Sequence, residues 1–400
     1  MNTNPVQFYD LLARAFRGDT TSKRLQGFLD KTLAEKYNGL QIPGFEFEPD
    51  MQLEFTYEQV QKELGITAMA NYYDIDSKPI PRGVEGASLL TGKIPRMKDV
   101  IYFNEDKVRK QLITEKLFGE TSDQAVRSAK RKLFETLDEL IGGHTNSLTY
   151  QRHQMISAGK LTLTDTNNPK GIKNVTFSAS VPSANKKNAS TFRSNGSTVA
   201  GNKWWTDSTY ATEGATADVI ADIIAFLQPI LDKGLVGHLE VNSAFLRRIL
   251  RHSSVAKAIA INLWPMGDLT NTQPAAAALP EASRKAKFEE LIGVKVVAID
   301  SLVAVEKYDK TKKTLEKPNI NAFNSDVIVF VPDGKVGTIL SVMPITFQSA
   351  SATYGRFYDG RLLLTVDADA VEKCQGYYTE MTVLAVPTSP QYLFYFFPIA

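Results

Sequence analysis

Residues 68–102 read AMANYYDIDSKPIPRGVEGASLLTGKIPRMKDVIY, and this stretch decides the fold. Strand-forming residues lie at its two ends, in 69–75 and 94–102, and Pro and Gly punctuate the chain between them. The pattern predicts a long two-stranded ribbon. An isolated hairpin buries too little apolar surface to be stable in water, so the ribbon must be covered by something else. A long polar ribbon of this kind indicates a protein that lies on its neighbours.

The residues after the ribbon predict one long helix, straight or kinked, over 121–158. Thr121 and Gln124 have the spacing of a capping box, and Gly159 suits the position after the last turn. Two glycines at 142–143 weaken the helix by about 1 kcal/mol each relative to Ala. Apolar side chains recur three and four positions apart, which places them on one stripe. The predicted core of this helix consists of Val126, Leu133, Leu137 and Leu140.

Composition limits the class of protein. The chain has 400 residues, enough for two or three domains, and a net charge of +2 with Lys and Arg spread along it. This dispersal argues against strong nucleic-acid binding, which needs clustered cations, but leaves weak contact with a polyanion open. The single cysteine, Cys374, excludes an intramolecular disulfide. We expect no signal peptide, no transmembrane helix and no membrane partner.

The rest of the chain mixes helices and strands without the βαβ order of a doubly wound sheet, so the predicted fold class is α+β. Residues 1–58 are predicted to form an N-terminal arm. A small-residue linker is predicted over 274–280, and the last strand over 392–397. Further helices are predicted over 215–233, 244–252 and 281–291, and strands over 160–164, 175–181, 238–241, 294–299, 301–305, 326–332 and 336–343.

No group of residues in the sequence converges on a catalytic site. The four histidines (His144, His153, His238 and His252) lack metal-ligand spacing, and we interpret them as structural or surface residues. No phosphate-binding or nucleophile motif is present. The adjacent Trp204 and Trp205 are compatible with stacking on a base or sugar, but such a pair more often anchors a loop to a core. We therefore predict no enzyme activity, no metal and no cofactor.

The order of these elements resembles the major capsid proteins of tailed bacteriophages that have the Hong Kong 97 fold, and most of all the lambda-type shell protein. Residues 70–98 resemble the extended loop of that family, and 155–163 resemble its helix-to-strand junction. Residues 175–218 resemble the entry to its axial domain, and 330–337 a strand-turn-strand near the end of that domain. The similarity covers about residues 60–400, and the segment 255–280 has no clear counterpart in it.

The resemblance implies a subunit that self-assembles into pentamers and hexamers of an icosahedral shell around packaged double-stranded DNA. It implies a virion location, assembly in the host cytoplasm, weak non-specific contact with DNA, and portal, scaffold and possible decoration proteins as partners. The implied domains are an arm (1–58), an extended loop (59–104), a peripheral domain with the spine helix (105–203), an axial domain (204–345) and C-terminal strands returning to the peripheral domain (346–400). The expected inter-subunit contacts of the loop are Tyr72, Tyr73, Ile75, Arg82, Glu85, Ile94, Arg96 and Met97.

Two alternatives stay open at the level of sequence. An encapsulin-type compartment shell would share the fold but enclose protein cargo. A soluble α+β enzyme or a sugar-binding protein would instead use the loop that carries Trp204 and Trp205.

Overall fold

The computed structural model describes residues 37, 41–62, 87–104, 122–189, 203–205, 210, 213–214, 217–265, 267–309, 314–345, 353–369 and 374–399. The helices are α1 (Ser122–Ala158), α2 (Val219–Leu231), α3 (Ser243–Arg251), α4 (Ser253–Leu263), α5 (Leu269–Ala277) and α6 (Glu281–Ile292). The strands are β1 (Phe45–Phe47), β2 (Thr56–Lys62), β3 (Ala87–Lys93), β4 (Arg96–Asn104), β5 (Lys160–Leu163), β6 (Val175–Ser178), β7 (Lys186–Asn188), β8 (Gly237–Asn242), β9 (Val296–Ile299), β10 (Leu302–Ala304), β11 (Lys307–Asp309), β12 (Thr314–Glu316), β13 (Asn319–Asn321), β14 (Ile328–Pro332), β15 (Gly337–Ser341), β16 (Thr353–Phe357), β17 (Leu362–Asp369), β18 (Cys374–Pro387) and β19 (Phe394–Phe397).

The chain divides into two compact units, each built from separate stretches of sequence. The first unit comprises Met1–Tyr57, Lys93–Thr149 and Ile339–Ala385, and the second comprises Glu58–Gly92, Tyr150–Thr338 and Val386–Ala400. Both α1 and β18 therefore contribute residues to each unit. The predicted domain boundaries differ from this division, because 150–203 and 386–400 were assigned to the peripheral domain and here lie in the second unit.

The first unit is built on a sheet with the strand order β1-β15-β18-β17-β16. Strand β4 pairs with β18 along the same edge as β15. It occupies the N-terminal part of that edge, in an antiparallel register from Arg96↔Thr382 to Asn104↔Cys374. Helix α1 packs its predicted stripe in this unit, where Leu137, Leu140 and Leu148 are buried. Burial of this stripe outweighs the low helix propensity of two adjacent glycines, so α1 runs unbroken through 142–143.

The second unit has a sheet with the order β7-β19-β14-β8-β9, covered by helices. Its core combines apolar residues of α2, α3, α4 and α6 with both tryptophans and the inward side chains of β8, β14 and β19. Side-chain caps fix the helix starts: Asp218 accepts a hydrogen bond from the Ala221 amide, and Asn242 accepts from the Ala244 amide. Asn242 is the N-cap of α3.

Two sequence predictions about local structure were wrong. Residues 94–102 were predicted to form the second strand of the ribbon, but β2 pairs with β3, whereas β4 pairs with β18. Pro95 separates β3 from β4, because proline has no amide hydrogen to continue a ladder. The predicted linker at 274–280 largely belongs to α5, which is capped by Asp268 and favoured by three consecutive alanines. The predicted last strand is present as β19, which pairs with β14 and β7 in the second unit.

Candidate assembly surface

One face of the sheet in the first unit carries aromatic and charged side chains into solvent. Lys98, Glu380, Leu363 and Arg356 form a row across β4, β18, β17 and β16, since each lies opposite the next in the antiparallel registers. Directly opposite residues of paired strands project to the same side of a sheet. We name this surface the tyrosine face and define it by Arg96, Lys98, Val100, Tyr102, Arg356, Tyr378 and Glu380.

Two tyrosines lie at the centre of the tyrosine face. The rings of Tyr102 and Tyr378 meet edge to face, with centroids 5.9 Å apart. Val100, Tyr102 and Tyr378 are 37%, 41% and 40% exposed. Gly376 lies beneath the Tyr378 ring, and a Cβ built at this glycine would come within 2.5 Å of that ring. A glycine at 376 therefore lets this ring lie flat across the strand.

The charged groups of the tyrosine face surround these rings. Arg96 and Lys98 both form ion pairs with the carboxylate of Glu380. Arg356 extends the row from β16 and is exposed. The registers also place Asp367 and Asp369 of β17 at positions on this face. The face therefore combines aromatic rings with charged residues of both signs.

The opposite face of the same strands is closed by α1. Tyr377, Thr379 and Met381 alternate with the exposed residues of β18 and are buried. The His144 ring of α1 makes a hydrogen bond of 2.9 Å between its Nε2 and the Thr379 hydroxyl. Burial lowers the pKa of His144 to about 4, so the ring is neutral near pH 7. One face of the sheet is thus packed on the helix, while Val100, Tyr102 and Tyr378 on the other face are partly exposed.

The structure separates the predicted contact residues into three groups. Arg96 lies on the tyrosine face, whereas Met97 projects to the other side, opposite Met381. Ile94 is buried within its own chain, and its amide donates to the Phe55 carbonyl. The remaining contact residues lie outside the described residues: Tyr72, Tyr73, Ile75, Arg82 and Glu85.

The predicted core residues of the long helix fall partly within the described side chains. Leu137 and Leu140 are buried. Val126 and Leu133 lie in the first part of α1, where only the backbone is described. Sequence reasoning missed Tyr378, Glu380 and Arg356, whose only signal is the alternation of their strands.

The two tryptophans do not form an exposed platform. Trp204 and Trp205 are almost completely buried, and the Trp204 indole donates a 3.0 Å hydrogen bond to Asp222. Trp205 packs against Phe245 and His252. The pair anchors its loop to the core of the second unit, which removes the surface that a sugar-binding function would need.

A buried polar network joins the last turns of α1 to the sheet of the second unit. The Arg152 guanidinium binds the Glu240 carboxylate through both terminal nitrogens, with a distance of 2.7 Å between Nη1 and Oε2. Burial opposes ionisation of Glu240, but His238 and Arg152 outweigh it and lower its pKa to about 2. His153 lies beside Arg152, and burial together with this positive charge lowers its pKa to about 4. The arrangement is that of a structural ion pair rather than of an acid–base catalyst.

The described ranges contain no group of His, Cys, Asp and Glu arranged to hold a metal ion. No helix in the described part of the chain has the length and apolarity needed to cross a membrane.

Comparison with known proteins gives the class of protein. The family model described as phage major capsid protein E matches residues 43–396. The chain is a bacteriophage major capsid protein, a shell-forming component of the virion. It belongs to the phage major capsid protein E family. No curated protein matches the chain.

Several solved structures are similar at low sequence identity. The capsid of the cyanophage P-SCSP1u is 9% identical, with a TM-score of 0.46 over 89% of this chain and 86% of that chain. A putative prophage capsid protein from Escherichia coli CFT073 is 11% identical, with a TM-score of 0.43 over 99% of each chain. A phage-related protein from Bordetella bronchiseptica is 10% identical, with a TM-score of 0.41 over 98% of this chain and 96% of that chain.

Proposed function

We propose that this capsid protein assembles into pentamers and hexamers that close an icosahedral shell around packaged double-stranded DNA. Its role is structural and not enzymatic. The first unit acts as the peripheral domain and the second unit, with its helices around the β8–β14 pair, acts as the axial domain. The observation that carries the proposal is the tyrosine face, where aromatic and charged side chains are exposed on a sheet whose other face is packed on α1.

The composition of the tyrosine face fits an interface between subunits. Tyrosine and arginine are enriched in the centres of protein–protein interfaces, where they bury large areas with few rotatable bonds. Grouped exposed apolar side chains on a sheet face mark interaction surfaces more often than plain solvent-facing surface. Tyr102 and Tyr378 supply the aromatic area, and Arg96 and Arg356 supply the basic groups.

The remaining contacts of the shell follow from the same proposal. The extended loop, including Tyr72, Tyr73, Ile75, Arg82 and Glu85, contacts neighbouring subunits. The net charge of +2 supports weak, non-specific contact with DNA, because few phosphates are neutralised. Portal, scaffold and possible decoration proteins complete the particle, and assembly takes place in the host cytoplasm.

The test is electron microscopy of recombinant protein with and without the aromatic centre of the tyrosine face. The wild-type chain should give closed shells, tubes or free capsomers, and the double variant Tyr102→Ser, Tyr378→Ser should give smaller species. The matched control is Ile172→Ser, which removes an exposed apolar side chain from a turn of the second unit.

Shells that retain nucleic acid would support the phage function, whereas shells that enclose protein cargo would favour an encapsulin-type compartment. A wild-type chain that stays monomeric under all assembly conditions would contradict the proposal. Normal shells from the double variant would show that the tyrosine face is not an assembly contact.

A further inference from the structure

Four arginines gather at the C-terminal end of α3 in the second unit. Arg248 and Arg247 lie three and four positions before Arg251, so the three share one face of this helix, and all are exposed. Arg284 of α6 reaches the same helix end, where its Nη1 donates a 3.2 Å hydrogen bond to the Leu250 carbonyl. The partial negative charge of a helix C-terminus stabilises cations there. We name these four arginines the arginine cluster.

The chain itself supplies one carboxylate to the arginine cluster. Arg247 pairs with Glu281, with 3.4 Å between its Nε and the Glu281 Oε1. Arg248 lies over the Tyr210 ring, with its guanidinium carbon 3.8 Å from the ring centroid, and the Tyr210 hydroxyl donates to Asp326. Within the described residues, no carboxylate forms an ion pair with the other three arginines of the cluster.

The other acidic side chains on the adjoining elements are bound to backbone amides. Glu213 accepts a 3.1 Å hydrogen bond from the Ser253 amide at the start of α4. Glu289 of α6 accepts a 2.9 Å hydrogen bond from the Val296 amide. Along the sequence, residues 241–267 contain four cations and neither Asp nor Glu. The arginine cluster therefore keeps the capacity to bind an anion from outside the chain.

Arg284 is the member of the cluster that points most directly to a ligand. Its side chain is only 9% exposed, and its Nε has no hydrogen-bond partner within the described residues. A buried charged donor without a partner is unfavourable, so buried guanidinium groups are normally paired. An anion bound at the cluster would supply the partner. The planar donors of a guanidinium match the oxygens of a phosphate, which makes arginine well suited to that anion.

We propose that the arginine cluster binds the phosphate backbone of duplex DNA. Contacts to phosphates carry no sequence information, so the binding is independent of sequence. Four arginines neutralise only a few phosphates, so the affinity is modest and falls as the salt concentration rises. This inference rests on the proposed function for the presence of DNA inside the shell, and adds which residues touch it.

The test compares two full-length variants that each lose two exposed cations from the second unit. The cluster variant is Arg247→Gln, Arg251→Gln, and the matched control is Lys170→Gln, Lys173→Gln in the turn between β5 and β6. Both variants have the same net charge. Fluorescence anisotropy of a labelled duplex, titrated at several sodium chloride concentrations, gives the affinity and its dependence on salt.

The cluster variant should bind the duplex about tenfold more weakly than the wild type at low salt, whereas the control should bind like the wild type. The plot of log affinity against log salt concentration should become shallower by about two for the cluster variant, because each lost phosphate contact removes about one from that slope. Circular dichroism with thermal unfolding verifies that both variants are folded.

Two further measurements identify the source of the anion. A titration in sodium phosphate, at the ionic strength of the chloride buffer, should leave the duplex bound as in chloride, because a single phosphate does not replace several linked ones. Electron microscopy should show the same particles for the cluster variant as for the wild type, since the cluster contacts DNA and not a second copy.

The outcomes separate this contact from the shell function. Equal duplex binding by the cluster variant and the wild type would overturn the DNA contact and leave the shell intact. Release of the duplex by phosphate but not by chloride would overturn it in favour of a free-phosphate site. A cluster variant that binds DNA normally but no longer assembles would overturn it in favour of a contact between copies. Weakened DNA binding in a chain that forms no particles would support the contact and count against the shell.

Discussion

The Arg361 guanidinium donates a 2.6 Å hydrogen bond to the backbone carbonyl of Glu48, across 313 positions of sequence. The same buried group lies 4.8 Å from the centroid of the Phe47 ring and contacts the Ser341 hydroxyl. One side chain in the turn between β16 and β17 thereby fastens β1 and the residues after it to the sheet.

Replacing Arg361 with Ala should destabilise the first unit by about 1–3 kcal/mol, because buried carbonyl groups lose their donor and Phe47 loses packing. Chemical denaturation monitored by circular dichroism measures the loss in the free energy of unfolding. Arg251→Ala, at an exposed position on α3, is the control and should change stability by less than about 0.5 kcal/mol. Equal stabilities of the two variants would show that Arg361 does not fasten β1.

Glu240→Gln should be among the most damaging single substitutions in the second unit. It leaves the buried charge of Arg152 without its carboxylate partner, which costs about 3–5 kcal/mol in comparable buried pairs. The double variant Arg152→Met, Glu240→Leu should recover much of this loss, since it removes both charges together. The exposed pair Arg247–Glu281 is the control, and Glu281→Gln there should have little effect. A double variant less stable than Glu240→Gln would contradict the argument.

Stability should fall as the pH is lowered from about 6.5 to about 4, because His144 and His153 are buried in the neutral form. Their folded-state pKa values lie below the unfolded value, so the unfolded chain binds more protons in this window. The stabilisation is complete above about pH 6.5 and is lost as the rings are forced to accept protons. Unfolding midpoints measured across this pH range give the slope of stability against pH.

The variant His144→Asn should flatten that slope, because one of the two titrating rings is gone. His238 works in the opposite direction, since its ion pair with Glu240 raises its pKa and stabilises the fold at low pH. His238→Gln should therefore steepen the loss on acidification. A wild-type stability that does not change between about pH 6.5 and pH 4.5 would rule out this account.

Gly159→Ala should cost more stability than Gly234→Ala. Both glycines have a left-handed φ, of 66° and 74°, which costs an Ala residue about 1–2 kcal/mol. A Cβ at 159 would also lie only 3.0 Å from Val181 Cγ2, whereas a Cβ at 234 would meet nothing within 4 Å. Urea denaturation of the two variants isolates the steric part, and equal losses would show that Val181 moves aside without cost.

Secondary structure that depends on residues close together in the chain could be predicted from the sequence. Helix α1 begins at Ser122, one residue after the predicted start, and ends at Ala158 as predicted. Apolar periodicity and a C-terminal glycine are local signals, and they suffice because helix hydrogen bonds join residues four positions apart. The interpretation of Trp204 and Trp205 as loop anchors is also confirmed, since both are buried. It too rested on a local signal, because two adjacent large apolar rings favour burial.

Strand partners, and with them the candidate assembly surface, were decided only by the tertiary structure. Nothing near Arg96 in sequence indicates that Glu380, 284 positions away, completes its ion pair. The cost of closing a loop grows only slowly with its length, so distance along the chain does not exclude a partner. The structure pairs β4 with β18. The sequence determined which residues alternate along each strand, whereas packing determined that Tyr102 and Tyr378 meet on the exposed side.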